Sequence, residues 1–267
     1  MKTKPIEFDR LQMYFGEPYE IAIPEFTPIR VLQPTIGDIV RIGEKRFYGT
    51  LNVFITNTTS YRLPLWESGI DWNEITNFQL FMILYGSIDP EVASLLFSFR
   101  TEEGEDKVLD FSKFEMFQRT LEGEEVTEVL YDKENNILID EYVHSHFSQY
   151  LQTVFAMKPE EKLTTSETMK KWFIEKDKRQ QAIDEKKKEK GKIDSTSLQT
   201  TISACVNHPG FKYRLKELKD VGVCEFYDSV KRLQIYESST ALMKGMYSGF
   251  VDSSKIPAES YNFMREI

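Results

Sequence analysis

Cysteine is almost absent. The 267 residues contain two, Cys205 and Cys224, too few for a zinc site of their own or a disulfide scaffold. Histidine is scarce, with three residues. No apolar run approaches the roughly 18 residues that a bilayer span needs; the densest stretch, Leu80–Leu84, is far shorter. The glycines stand singly, so Gly-x-x-x-x-Gly-Lys-Ser/Thr, Gly-x-Gly-x-x-Gly and Gly-x-Ser-x-Gly are all missing, and with them the common phosphate, dinucleotide and hydrolase signatures. Met1-Lys2-Thr3-Lys4-Pro5 leads into Glu7 and Asp9, where a secretory signal would require an apolar segment. These absences lead to the expectation of a soluble intracellular protein with reduced thiols.

What is present is charge, unevenly placed. The chain has 34 Lys+Arg, 43 Asp+Glu and a formal net charge of −9. Residues 1–150 hold 26 acidic and 13 basic side chains, whereas 158–194 are net +3 and 195–267 net +1. An acidic front half repels a phosphate backbone, so nucleic acid is not an expected partner. At 40% hydrophobic and 13% aromatic residues, the chain can bury a sizeable core.

The expected fold class is α+β, mainly helical, in three parts: an acidic α+β domain over 1–157, a charged helical connector over 158–194, and a small C-terminal helical segment over 195–267. Pro28 and Pro34 bound a short strand, Ile29–Leu32. Thr35 is placed to cap a helix with Asp38 in its first turn. The apolar stripe from Ile36 to Ile55 is helical, with Gly43 and Gly49 as weak points. Asp71 and Asn77 are candidate caps, and Asp89-Pro90-Glu91 opens a helix over Val92–Phe97. Val108–Phe111 is a candidate strand. Val126–Tyr131 and Ile137–Ile139 flank Asp132–Asn136 as a β-hairpin, and Asp140 caps an amphipathic helix to about Met157. The run Asp184–Lys192 carries both signs of charge without an apolar stripe, as a solvated helix or linker does. Ser195 or Thr196 caps Leu198–Val206, Asn207–Gly210 stops it, and two further helices follow, a longer one around Val221–Tyr236 and a shorter one around Leu242–Tyr247.

Candidate chemistry is sparse. His144 and His146 point about 200° apart on a helix and cannot grip one metal ion. Cys205 and His208 lie three residues apart, but a nucleophilic dyad needs an orienting acid and an oxyanion hole as well. Asp89, Glu105, Asp106 and Lys107 have the residue types of a magnesium-dependent nuclease, at loose spacing. Tyr61, Trp66, Trp72, Phe78 and Phe81 suit inter-helix packing better than a ligand box. The expectation is therefore no catalytic, cofactor or metal site.

Three stretches carry a family resemblance. Leu32-Gln33-Pro34-Thr35-Ile36-Gly37-Asp38-Ile39, with Ile42-Gly43-Glu44, resembles the Pro-Thr-apolar-Gly-Asp opening of tail assembly chaperones of tailed bacteriophages. Leu11–Gly16, Leu65-Trp66-Glu67 with Gly69–Trp72, and Asp228–Gln234 with Tyr247-Ser248-Gly249 resemble a phage protein family of Bacillus- and Clostridium-type hosts. The resemblance implies a non-enzymatic tail morphogenesis protein in the host cytoplasm during assembly. Its implied partners are a tape-measure or tail-tube protein, with a homo-oligomer as a further option and no membrane. A structural virion subunit, as head-tail connector or baseplate component, is the alternative. Trp66, Trp72, Met169, Trp172, Phe173, Met243 and Met246 are the partner-contact candidates, because aromatic and methionine side chains give adaptable contact area.

Overall fold

A computed structural model describes residues 6–101, 103–119, 127–189 and 197–265. Val126, Ser195, Thr196 and the end of the charged run at 190–192 lie outside them, as does Glu102 of the acidic turn.

The chain begins with a short helix, α1 (Arg10–Tyr14), capped by Asp9, and two strands, β1 (Tyr19–Ile21) and β2 (Ile29–Val31). Helix α2 (Ile36–Ile42) starts as the sequence suggests. Thr35 Oγ1 accepts from Asp38 N at 3.1 Å, and Asp38 accepts from Thr35 N at 3.0 Å. This reciprocal capping satisfies two donors that a helix start leaves open. Gly43, at φ +96°, breaks the stripe and α3 (Glu44–Ile55) begins at once; a side chain there would be strained. Gly49 sits inside α3 without interrupting it.

Next come α4 (Arg62–Glu67) and α5 (Asn77–Leu84). The cap of α5 is Thr76, which pairs reciprocally with Gln79, and not Asn77. Asp71 instead closes a turn by accepting from Asn73 N. After α6 (Pro90–Leu96), Phe97 leaves the helix to start β3 (Phe97–Arg100), so the expected helix is one residue too long and a strand went unread. The following strand, β4, is Asp106–Val108, earlier than Val108–Phe111; Phe111 belongs to a 3-10 turn. Strand β5 (Glu115–Arg119) leads to the anticipated hairpin of β6 (Thr127–Asp132) and β7 (Ile137–Ile139), and Asp140 caps α7 (Glu141–Val154).

The two sheets are antiparallel, in the orders β1-β2-β3-β4 and β5-β6-β7. Register places Ile29 beside Ile21 and Phe99, and Leu130 beside Ile139. Inward-facing residues therefore alternate with outward-facing ones along β2, where Arg30 reaches Asp106. Between the sheets and helices lies an aromatic centre: Phe54 contacts Phe81, Phe97, Phe111 and Phe147 at centroid separations of 4.8–6.0 Å.

The remainder is helical: α8 (Glu167–Glu189), α9 (Leu198–Val206, capped by Ser197) and α10 (Val223–Tyr247). A single 25-residue helix replaces the two expected after Val221. Leu198, Leu218, Val221, Val223 and Phe226 join the same buried cluster as the front half. The fold is α+β and mainly helical.

Candidate docking surfaces

The Pro34–Asp38 stretch makes an internal seam. Ile36 N donates to Val221 O at 3.0 Å and Val223 N donates to Pro34 O at 3.1 Å, forming a two-sided bridge around Thr35 and Gly222. Gly37 allows the approach: a Cβ there would lie 2.5 Å from the carbonyl oxygen of Lys219. Leu198 N donates to Glu44 Oε1 at 2.6 Å, and the Tyr48 and Tyr227 hydroxyls share a hydrogen bond at 2.7 Å. Burial and the neighbouring Tyr227 hold the Tyr48 hydroxyl well above its usual pKa, so it remains a neutral partner.

The charged connector is anchored along its first part. Asn57 Nδ2 donates to Glu160 O, Thr59 Oγ1 accepts from Lys162 N at 2.9 Å, and Asn73 Oδ1 accepts from Thr164 N at 2.8 Å. Helix α8 then lies against α4 through Ile174, which is buried with Leu65, Trp72 and Leu80. Arg62 donates to both carboxylate oxygens of Asp177 at 2.5 Å and stacks over Phe173, 4.7 Å from its ring centre. Such a forked pair fixes direction as well as contact. Lys170 Nζ donates to Asp71 and Glu167. Burial would raise the Asp71 carboxyl, but bonds from Lys170 and Asn73 hold it below the ordinary value; the same carboxylates raise Lys170.

The opposite face of α8 is open. Met169, Trp172 and Ile183 are each about half exposed, and with Lys176 they fall within an arc of about 60° at 100° per residue. Lys176 Nζ lies 5.5 Å from the Trp172 ring centre. This stripe can receive an apolar helix face from outside. Of the other contact candidates, Phe173 turns inward, Trp66 packs edge-on against Trp72 at 6.0 Å, and Trp72 is fully buried with its Nε1 donating to Lys162 O. Trp72 therefore offers no surface to a partner in this conformation. Met243 and Met246 are half-buried near the end of α10.

The candidate catalytic groups do not converge. Asp89 accepts from Arg46 at 2.5 and 2.9 Å, and Asp106 from Arg30 and Arg100 at 2.6 and 2.9 Å. Arg100, then Arg30, pulls the Asp106 carboxyl down to about 2. Both acids are thus paired with arginines. No cluster of three metal-binding side chains occurs among the described residues. His144 is buried between Phe78, Phe81 and Phe147, and burial pushes it down to about 3. His146 Nδ1 instead meets the Tyr19 hydroxyl at 2.5 Å. Cys205 is buried with its thiol pKa raised, while His208 accepts from Gly210 N and faces Glu237.

One cleft, about 640 Å³ in volume, opens between α6 and the β4 turn, lined by Tyr85, Ile88, Pro90, Val108, Phe111 and Phe114. Its lining suits an apolar group.

Residues 186–267 match a family model described as YomV second domain, YomV being a Bacillus phage-region protein. The match is consistent with a phage-associated family and adds no detail of tail assembly. No curated protein and no solved structure matches the chain. No described helix is long and apolar enough to cross a membrane.

Proposed function

We propose that this protein is a non-enzymatic bacteriophage tail morphogenesis factor that binds a helical segment of another tail component in chaperone fashion. The observation that carries this reading is the two-faced α8. Its inner face is fixed to the body by Ile174, Arg62–Asp177 and Lys170–Asp71, which leaves Met169, Trp172 and Ile183 about half exposed on the outer side. A pre-ordered amphipathic helix binds a second one with little further loss of conformational freedom. Tape-measure proteins, with long apolar and coiled segments, are partners of that chemistry. The phage-region family match at the C-terminal part supports the setting.

Co-expression with the tape-measure protein of the same phage should give a soluble complex that Trp172→Glu weakens; no complex at micromolar concentration would remove this reading. Mass spectrometry of purified particles separates it from the alternative of a structural virion subunit. An assembly factor is absent from particles, whereas a connector or baseplate subunit is present in fixed copy number.

A further inference from the structure

Strand β5 is the outer member of its sheet, in the order β5-β6-β7. One edge pairs with β6 along Glu115–Arg119, and among the described residues no hydrogen bond reaches its backbone from the other side. The Arg119 carbonyl accepts from the Thr127 hydroxyl at 3.4 Å, which turns it toward β6. Alternation along an antiparallel strand then turns Glu115 and Phe117 the same way and points the N–H and C=O of Met116 and Gln118 outward. Four backbone groups stand open on an edge where Glu115, Met116 and Gln118 are exposed. Such an edge is a template for another strand.

The side chains specify the strand that fits. Glu115-Met116-Phe117-Gln118-Arg119 is its own charge complement about Phe117 when paired antiparallel. A two-fold axis there sets each Glu115 opposite the other copy's Arg119, once at each end. Directly opposed side chains have Cβ atoms about 4.5–5.5 Å apart, within reach of a carboxylate–guanidinium contact. Phe117 meets the other copy's Phe117 in a non-hydrogen-bonded position, where opposed side chains come closest. Met116 and Gln118 exchange backbone hydrogen bonds across the axis on both sides. Other registers lose this match. An axis at Met116 leaves Glu115 opposite Phe117, and a parallel in-register neighbour sets Glu115 on Glu115 and Arg119 on Arg119.

We infer that two copies of this chain pair through their β5 edges, antiparallel and centred on Phe117, joining two three-stranded sheets into one of six. The contact is isologous, so one strand supplies both halves of each charge pair. Within a single copy the two charges are loosely held: Glu115 lies 3.8 Å from Lys133, and Arg119 lies 3.9 Å from Asp140 and stands over Phe26. Five residues a side make a small interface, in the weak class below about 1,200 Å², so the expected dissociation constant is on the order of 100 μM. The pairing leaves α8 free and does not rest on the phage reading.

Sedimentation equilibrium of the full chain from about 10 to 500 μM tests this, at low salt where screening of exposed charges is least. The wild type should pass from monomer to dimer across that range. Glu115→Arg and Arg119→Glu each oppose like charges at both ends and should weaken pairing about 10-fold. The double variant exchanges the partners and should return to within about threefold of the wild type. Amide exchange of the wild type asks nothing of the variants' folding. Protection of Met116 and Gln118 should rise with concentration, while that of Phe117, already paired with β6, stays constant. A wild-type monomer throughout the range overturns the proposal and makes Glu115 and Arg119 guards against edge pairing. A dimer indifferent to both single reversals overturns it as well, as does a double variant no tighter than either single one.

Discussion

Gly37→Ala tests how the Pro34–Asp38 stretch works. The added methyl would stand 2.5 Å from Lys219 O and 3.2 Å from both its carbonyl carbon and its Cα. Those neighbours are backbone, so relief requires α2 and the Glu217–Asp220 turn to separate. Overpacking of this kind costs about 1–3 kcal/mol. Separation also stretches Ile36 N–Val221 O and Val223 N–Pro34 O, each worth about 0.5–1.5 kcal/mol. Against this, alanine is favoured over glycine in a helix by about 1 kcal/mol. The net expectation is a loss of about 1–3 kcal/mol, or a fall in melting temperature of roughly 3–10 °C. Calorimetry measures the fall, and amide exchange at Val221 and Val223 should accelerate with it. A melting temperature at or above that of the wild type, with exchange at those amides unchanged, would show that the helix propensity gain prevails and that the close approach has no energetic weight.

Three further outcomes follow from the same packing. Thr35→Ala removes the side-chain half of the α2 cap, leaving the residue-35 N–H bonded to Asp38, and should cost about 1 kcal/mol in chemical denaturation. Ile174→Ala, at a position 4% exposed on the inner face of α8, should cost about 2–4 kcal/mol; amide exchange should show the loosening first in α8, with the Phe54 cluster unaffected. His144 is held near 3 by burial, below its ordinary 6.5, so the unfolded chain binds the extra proton between those values. Its contribution to stability is therefore complete above pH 6.5 and declines by up to about 1.4 kcal/mol per unit as pH falls toward 3. The His144 ring resonances should not titrate between pH 5 and 7, and His144→Phe should flatten the acid limb of the stability curve. A titration midpoint near 6.5 would place that ring in water.

Helix starts were the most legible part of the chain, because capping is local chemistry. Thr35 with Asp38, Asp89-Pro90-Glu91 and Asp140 each act within one turn, and each appears where the residues suggest. Strands β1 and β5 were not visible. Three residues at Tyr19–Ile21 are too few for a period, and Glu115-Met116-Phe117-Gln118-Arg119 does not alternate apolar with polar, so neither has the alternation that marks a half-buried strand. At Phe97 an apolar run suits either helix or strand, and pairing with Val31, a long-range contact, decides it. The docking of the C-terminal segment is long-range in the same way: Gly37 and Lys219 meet only in the folded chain.

The contact candidates divide for a related reason. Residue type alone made Trp72 and Trp172 equivalent, yet Trp72 completes a small core with Leu65, Leu80 and Ile174, while Trp172 falls on the far side of the helix that closes it. Helical phase relative to Ile174 separates Trp172 and Met169 from Phe173, once α8 is known to be one uninterrupted helix.

We propose that the outer face of α8 receives a helical tail component. Hydrogen–deuterium exchange of the full chain, with and without the coiled segment of the tape-measure protein from the same phage, addresses it directly. Saturating partner should slow exchange within Met169–Ile183 and leave the hairpin of β6 and β7 unchanged, and Trp172→Glu should abolish the protection. Binding without protection in α8, or protection that survives Trp172→Glu, would contradict the account.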